Sequence, residues 1–151
     1  MSALATRVAD ALKADATVVA LAGDRCFDRD IRQAGPGAVT NVWDVNGFLL
    51  GPTVSVDDQG GTRNPFAPPG AYDDRLAVWL MADGTPEGRA ALDALTGRVI
   101  VLLGTWQDPV TRATLTFANR LGQRDDPPPD TGVIDQIIFR VGGMFLNIDN
   151  D

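Results

Sequence analysis

Apolar residues recur at three- and four-residue steps through Leu92, Leu95, Val99, Leu102 and Leu103, while Arg89, Asp93 and Arg98 fall largely off that line. This is the period of an amphipathic helix. Thr85 is a good N-cap, Pro86 sits at the first helical position, Glu87 puts a negative charge in the first turn, and Gly104 offers a stop. A helix from Thr85 to Gly104, at ~1.5 Å per residue, spans roughly 28 Å, enough to lie across several strands ~4.8 Å apart. Its stripe needs a sheet to bury it, and the flanking sequence supplies strands.

Leu4, Val8, Ala11 and Leu12 predict a short first helix with Ser2 as its cap. Asp15 caps a second one carrying Val18, Val19 and Leu21, which Gly23 ends. A brief strand over 24–28 contains Cys26, and a polar, glycine-rich loop follows at about 29–41. Asn46-Gly47, between Val42-Trp43-Asp44-Val45 and Phe48-Leu49-Leu50, has the chemistry of a type I′ hairpin turn. Its second arm can run on to Val54 and Val56, and Pro52 places that arm at a sheet edge or a bulge. Residues 57–72 hold two acids, three glycines, three prolines and Phe66, and read as a long surface loop or as an arm that orders on a partner. Leu76, Val78 and Leu80 alternate with Ala77, Trp79 and Met81, so this strand is apolar on both faces and belongs in the sheet centre. A strand over 111–121 has one apolar face, carrying Ala113, Leu115 and Phe117. A proline-rich turn separates it from a last strand running from Val133 and broken at Gly142-Gly143. The expectation is one α+β domain over 1–151: a mainly antiparallel sheet of about four to six strands, with the 85–104 helix and the N-terminal helices packed on it.

Charge and chemistry narrow the function. Twenty acids against thirteen bases give a net charge of −7, which argues against a nucleic-acid-binding surface. No apolar run approaches ~18 residues, and no signal-peptide pattern opens the chain, so neither membrane spanning nor secretion by that route is expected. There is no histidine, which excludes Ser-His-Asp and Cys-His catalysis and HExxH zinc sites. Cys26 stands alone and reads as a small buried hydrophobe. Phosphate-cradle and nucleophile-elbow motifs are missing too. The carboxylate clusters, Asp57 with Asp58, Asp125 and Asp126 with Asp130, and Asp149 with Asp151, fall in expected loops or at the end of the chain. Water solvates acids there cheaply, so no metal or cofactor is expected, and a carboxylate-metal hydrolase is the one enzymatic route left. Trp79 reads as core and Trp43 as cover for the hairpin; Trp106, just past a helix end, is a candidate for an interface.

Three stretches resemble a known pattern: ALKADATVVALAGDRCFD, then RLAVWLMADGTPEGRAALDALTGRVIVLLG, then DTGVIDQIIFRV. In order and punctuation they resemble the tail-terminator or tail-completion proteins of long-tailed bacteriophages and phage-like particles. The loops at about 29–41 and 57–72 look expanded beside that pattern. The resemblance implies a non-catalytic virion protein at the head-proximal end of the tail, made in the host cytoplasm. Its copies would form a ring, usually a hexamer, that caps the tail tube and meets the head-side connector, with DNA passing through unheld. Acidic subunits suit such a passage, because they repel phosphates. Asp57, Asp58, Arg63, Phe66, Tyr72 and Trp106 are the candidate contacts to a neighbouring subunit or partner. Other readings are a head-closure or minor tail protein, and a small acidic immunity or adaptor module.

Overall fold

In the computed structural model, residues 3–31, 41–45, 48–63, 72–125 and 132–142 are described. Helix α3 (Pro86–Gly104) stands where the apolar period puts it. The Gly88 N–H donates to Thr85 Oγ1 at 3.0 Å, satisfying one of the donors that a helix start leaves open. At the other end Thr105 is the cap, its N–H directed at the carbonyls of Leu102 and Leu103, so Gly104 is the last helical residue rather than the stop. Leu92, Leu95, Val99 and Leu103 are fully buried.

They pack on a six-stranded sheet. Its strands are β1 (Cys26–Phe27), β2 (Thr53–Arg63), β3 (Tyr72–Ala82), β4 (Thr114–Arg120), β5 (Arg124–Asp125) and β6 (Val133–Gly142). The order is β1-β2-β3-β6-β4, with β5 paired to β6 off that path. Every pairing is antiparallel except β1 with β2. The register sets Val56 opposite Val78 and Val78 opposite Ile137, while Leu76 faces Phe139. Because side chains alternate between faces, these residues share one side of the sheet, where they join a single core with the helices. Helix α1 (Ala3–Lys13) adds Leu4, Ala5, Val8, Ala9 and Leu12. Helix α2 (Ala16–Ala22) is capped by Asp15, whose carboxylate accepts the Val18 N–H at 3.1 Å, and ends at Gly23 with φ 59°.

The opposite face carries a second, smaller core. Met81 and Ile134 pack there with Ile31 and Val42, flanked by Phe27, Trp43, Leu49 and Trp79. Strand β3 is therefore central and covered on both sides, as its two apolar faces require. The Val42–Leu50 segment is a short hairpin of its own, bridged at Trp43 and Leu49 and closed by Asp44 N–H to the Phe48 carbonyl and Leu50 N–H to the Val42 carbonyl, both 2.8 Å. Its Asn46-Gly47 turn lies outside the described residues, as do 32–40 of the expected 29–41 loop.

Three expectations change. The described part of 57–72 is strand: β2 and β3 stay paired out to Arg63 opposite Tyr72, and residues 64–71, with Phe66, lie outside the described residues. A ladder is held by backbone groups, so polar and glycine-rich residues do not prevent it when the partner strand is anchored. Gly60, at φ 72°, follows a bulge that turns the strand where an L side chain is strained. Pro52 lies just ahead of β2, whose start is flanked by β1 at Val54 and Ser55, so the strand is not at the sheet edge there; the Pro52 carbonyl accepts Arg25 Nε at 3.0 Å. Finally, the one-sided alternation of β4 fails at Phe117, which is 46% exposed. A bulge between Phe117 and Asn119 breaks the period on this edge strand, and the ring meets Phe139 edge-on at 6.4 Å.

Candidate interaction surface

Pairing between β3 and β6 begins at Arg75 opposite Arg140. Beyond that point Gly61 to Arg63 and Tyr72 to Asp74 pair only with each other among the described residues, so the β2–β3 hairpin continues past the sheet as a two-stranded arm. Asp57 and Asp58 lie at its root, opposite Ala77 and Leu76, and Arg63 and Tyr72 face each other at its outermost described rung. Four of the six candidate contacts thus share one hairpin. Trp106 does not: it is half-buried at the C-terminal end of α3 and packs on the main core. Phe66 lies outside the described residues.

Three ion pairs that sequence spacing does not reveal hold the helices and connections. Arg7 grips Asp108 with two bonds, Nε to Oδ1 at 2.6 Å and Nη2 to Oδ2 at 2.7 Å. Burial pushes the Asp108 carboxyl up, but the Arg7 guanidinium, Thr111 Oγ1 and the Val110 N–H outweigh it and hold it at about 2. Arg98 of α3 binds the Asp15 cap in the same two-pronged way, at 3.0 and 2.6 Å, and depresses its pKa. Asp135, fully buried in β6, receives Arg120 Nε at 2.9 Å and the Gly122 N–H at 3.0 Å. One signal was visible here: an aspartate inside the apolar run VIDQIIF has to find a cation or donors. Asp108 gave no such signal, since its partner is 101 residues away.

A cleft of about 580 Å³ is lined by Phe48, Asp83, Gly84, Thr85, Arg89, Asp125 and Gly132. Its cation is already engaged, because Arg89 binds Asp125 and the Gly84 carbonyl. Cys26 is buried, and burial raises its thiol to about 12, which leaves no thiolate for nucleophilic work. Among the described residues no group of three or more His, Cys, Asp or Glu is placed to hold a metal ion, and no helix is long and apolar enough to cross a membrane.

Comparison with solved structures adds the deciding observation. A chain in the virion of a native gene transfer agent particle superposes with a TM-score of 0.58, over 91% of this chain and 93% of that one, at 20% identity. The two share a fold. No family model matches the sequence, and no curated protein does.

Proposed function

We propose that this chain is a structural virion protein of a long-tailed phage or phage-like particle, a tail terminator whose copies form a ring capping the tail tube. The ring, a hexamer in this reading, would sit at the head-proximal end of the tail, between the tail-tube protein and the head-side connector, and let DNA pass without binding it. The observation that carries the reading is the match of nearly both whole chains to a component of a gene transfer agent virion. The charge of −7 per copy is consistent with a DNA passage, because it repels phosphates over ~8–10 Å at physiological salt.

Deletion of the gene in the producing host tests the reading. Electron microscopy should show filled heads and separate tails, with tails of uneven length, and the tagged protein restored in trans should localise to the head–tail junction. Label along the tail shaft or on the head shell, or normal joined particles from the deletion, would reject it.

A further inference from the structure

Strand β4 closes one side of the sheet, with no strand beyond it in the order β1-β2-β3-β6-β4. At its first residue the outer flank is filled: Gln107 bridges Thr114, and the Asp108 N–H donates to the Ala113 carbonyl at 2.8 Å. From Leu115 onward no described residue pairs with that flank. Thr116, Phe117, Ala118 and Asn119 are exposed in a row rather than at every second position, and Phe117 and Leu121 keep 46% and 38% of their surfaces in solvent. An edge of this kind, with open backbone groups beside uncovered apolar side chains, is completed by an added strand.

The chain carries a segment whose pattern fits this edge. Residues 143–151 lie outside the described residues. In sequence, Met144, Leu146 and Ile148 alternate with Phe145 and Asn147 and lead into Asp149 and Asp151. That is the two-residue period of a strand with one apolar side, over a length close to that of Leu115 to Arg120. Strand β6 delivers this segment at the wrong place for its own β4. Gly142 pairs with Thr114, so the chain leaves the inner flank of β4 where β4 begins, and the 107–113 turn stands on the outer flank of that same point. To reach its own edge the segment would have to pass over the turn and then run parallel to β4. A segment from another copy meets no such obstacle and can enter antiparallel. Charge selects that direction, because a strand antiparallel to β4 finishes where β4 starts, which brings Asp149 and Asp151 to Arg112. Arg112 is exposed and forms no ion pair among the described residues. Its turn fixes it in place: the backbone sits at φ 64°, and the Arg112 N–H donates to the Asp108 carbonyl at 2.9 Å.

We infer that residues 144–149 of a second copy add to the outer edge of β4 as an antiparallel strand, with Leu146 beside Phe117 and the acids that follow Ile148 beside Arg112. This inference rests on the ring reading above and supplies its subunit contact. The donated segment and the edge that receives it are different surfaces, so the contact is head-to-tail, the type that closes into rings. Backbone pairing gives the attachment, and the alternate apolar side chains set its register.

The test uses the full chain carrying Thr116→Cys and Asn147→Cys together, which this register sets side by side, with the buried native Cys26 retained. Thermal melts confirm folding, and native mass spectrometry follows assembly. On mild oxidation a non-reducing gel should show linked dimers and higher species, while either substitution alone gives none. A disulfide within one chain would mean that the segment reaches its own β4, and a ladder that stops at the dimer would mean reciprocal exchange; each overturns the inference. A second variant, Asp149→Lys with Asp151→Lys, should weaken self-association about 3–10-fold and recover when Arg112→Glu is added to the same chain. Failure to recover would overturn the antiparallel placement. Rings that assemble without any cross-link would overturn the contact while leaving the ring reading intact. Monomers at every concentration would overturn the self-contact, and the microscopy of the gene deletion then judges the virion role separately.

Discussion

Removing the Arg7 guanidinium tests how α1 is fastened. The Asp108 side chain has no solvent exposure and Arg7 retains 23%. The carboxyl sits at about 2 in the folded protein against an ordinary 3.8, which corresponds to roughly 2–3 kcal/mol at ~1.36 kcal/mol per pKa unit. Since the folded value lies below the unfolded one, this stabilisation is complete above about pH 4 and is lost as pH falls toward about 2. Arg7→Met keeps most of the stem and leaves a buried carboxylate with only Thr111 and the Val110 N–H from its present donors. Breaking one side of a buried pair costs about 3–5 kcal/mol, and the partial exposure of Arg7 puts the expected loss at about 2–4 kcal/mol at pH 7. Without the cation, burial raises the carboxyl, so the variant's deficit should shrink at pH 3, where Asp108 is neutralised at little cost. Urea unfolding followed by far-UV circular dichroism at the two pH values measures both quantities. A deficit under about 0.5 kcal/mol at pH 7, or an equal deficit at both, would refute the reasoning.

Three further outcomes follow from single positions. Gly88→Ala should destabilise by about 1–3 kcal/mol in a thermal melt despite the better helix propensity of alanine, because its Cβ would meet the backbone oxygen and Oδ1 of Asp83; a rise in Tm would contradict this. Ser55→Ala should be neutral or stabilising by up to about 1 kcal/mol in urea titration, since Ser55 Oγ is buried with no hydrogen-bond partner among the described residues, and a loss above about 1 kcal/mol would mean that the hydroxyl is bonded. Cys26 should resist iodoacetamide at pH 8 in the native protein and react once urea unfolds it; rapid native labelling, read by mass spectrometry, would overturn both its burial and its raised pKa.

Helix α3 was legible because its information is local: a cap, a proline and a three-to-four period all lie within twenty residues. Strand β3 was legible because both of its faces are apolar, which leaves it no place except the centre. The outer halves of β2 and β3 were not. Asp57 to Arg63 offers no apolar alternation, and its ladder depends on the backbone of a strand whose own apolar part lies 13–25 residues later. The acidic pair could be picked out as a candidate, but not its position at the root of a projecting hairpin. Ile31 was equally hidden, an isolated hydrophobe between Asp30 and Arg32, and although Val42 was read as part of a hairpin arm, only the fold brings the two together on the rear of the sheet. Phe117 failed in the other direction, since alternation cannot say where the covering helix ends.

The Arg7–Asp108 clamp also bears on how the chain is made. Helix α1 is synthesised well before its fastening: the carboxylate that holds it comes 101 residues later. At roughly 5–20 residues per second that delay is on the order of 5–20 s. Until then the leucines and valine of that helix have at best a partial shelter, so a nascent chain invites chaperones at α1 and gains this latch only after Asp108 has emerged.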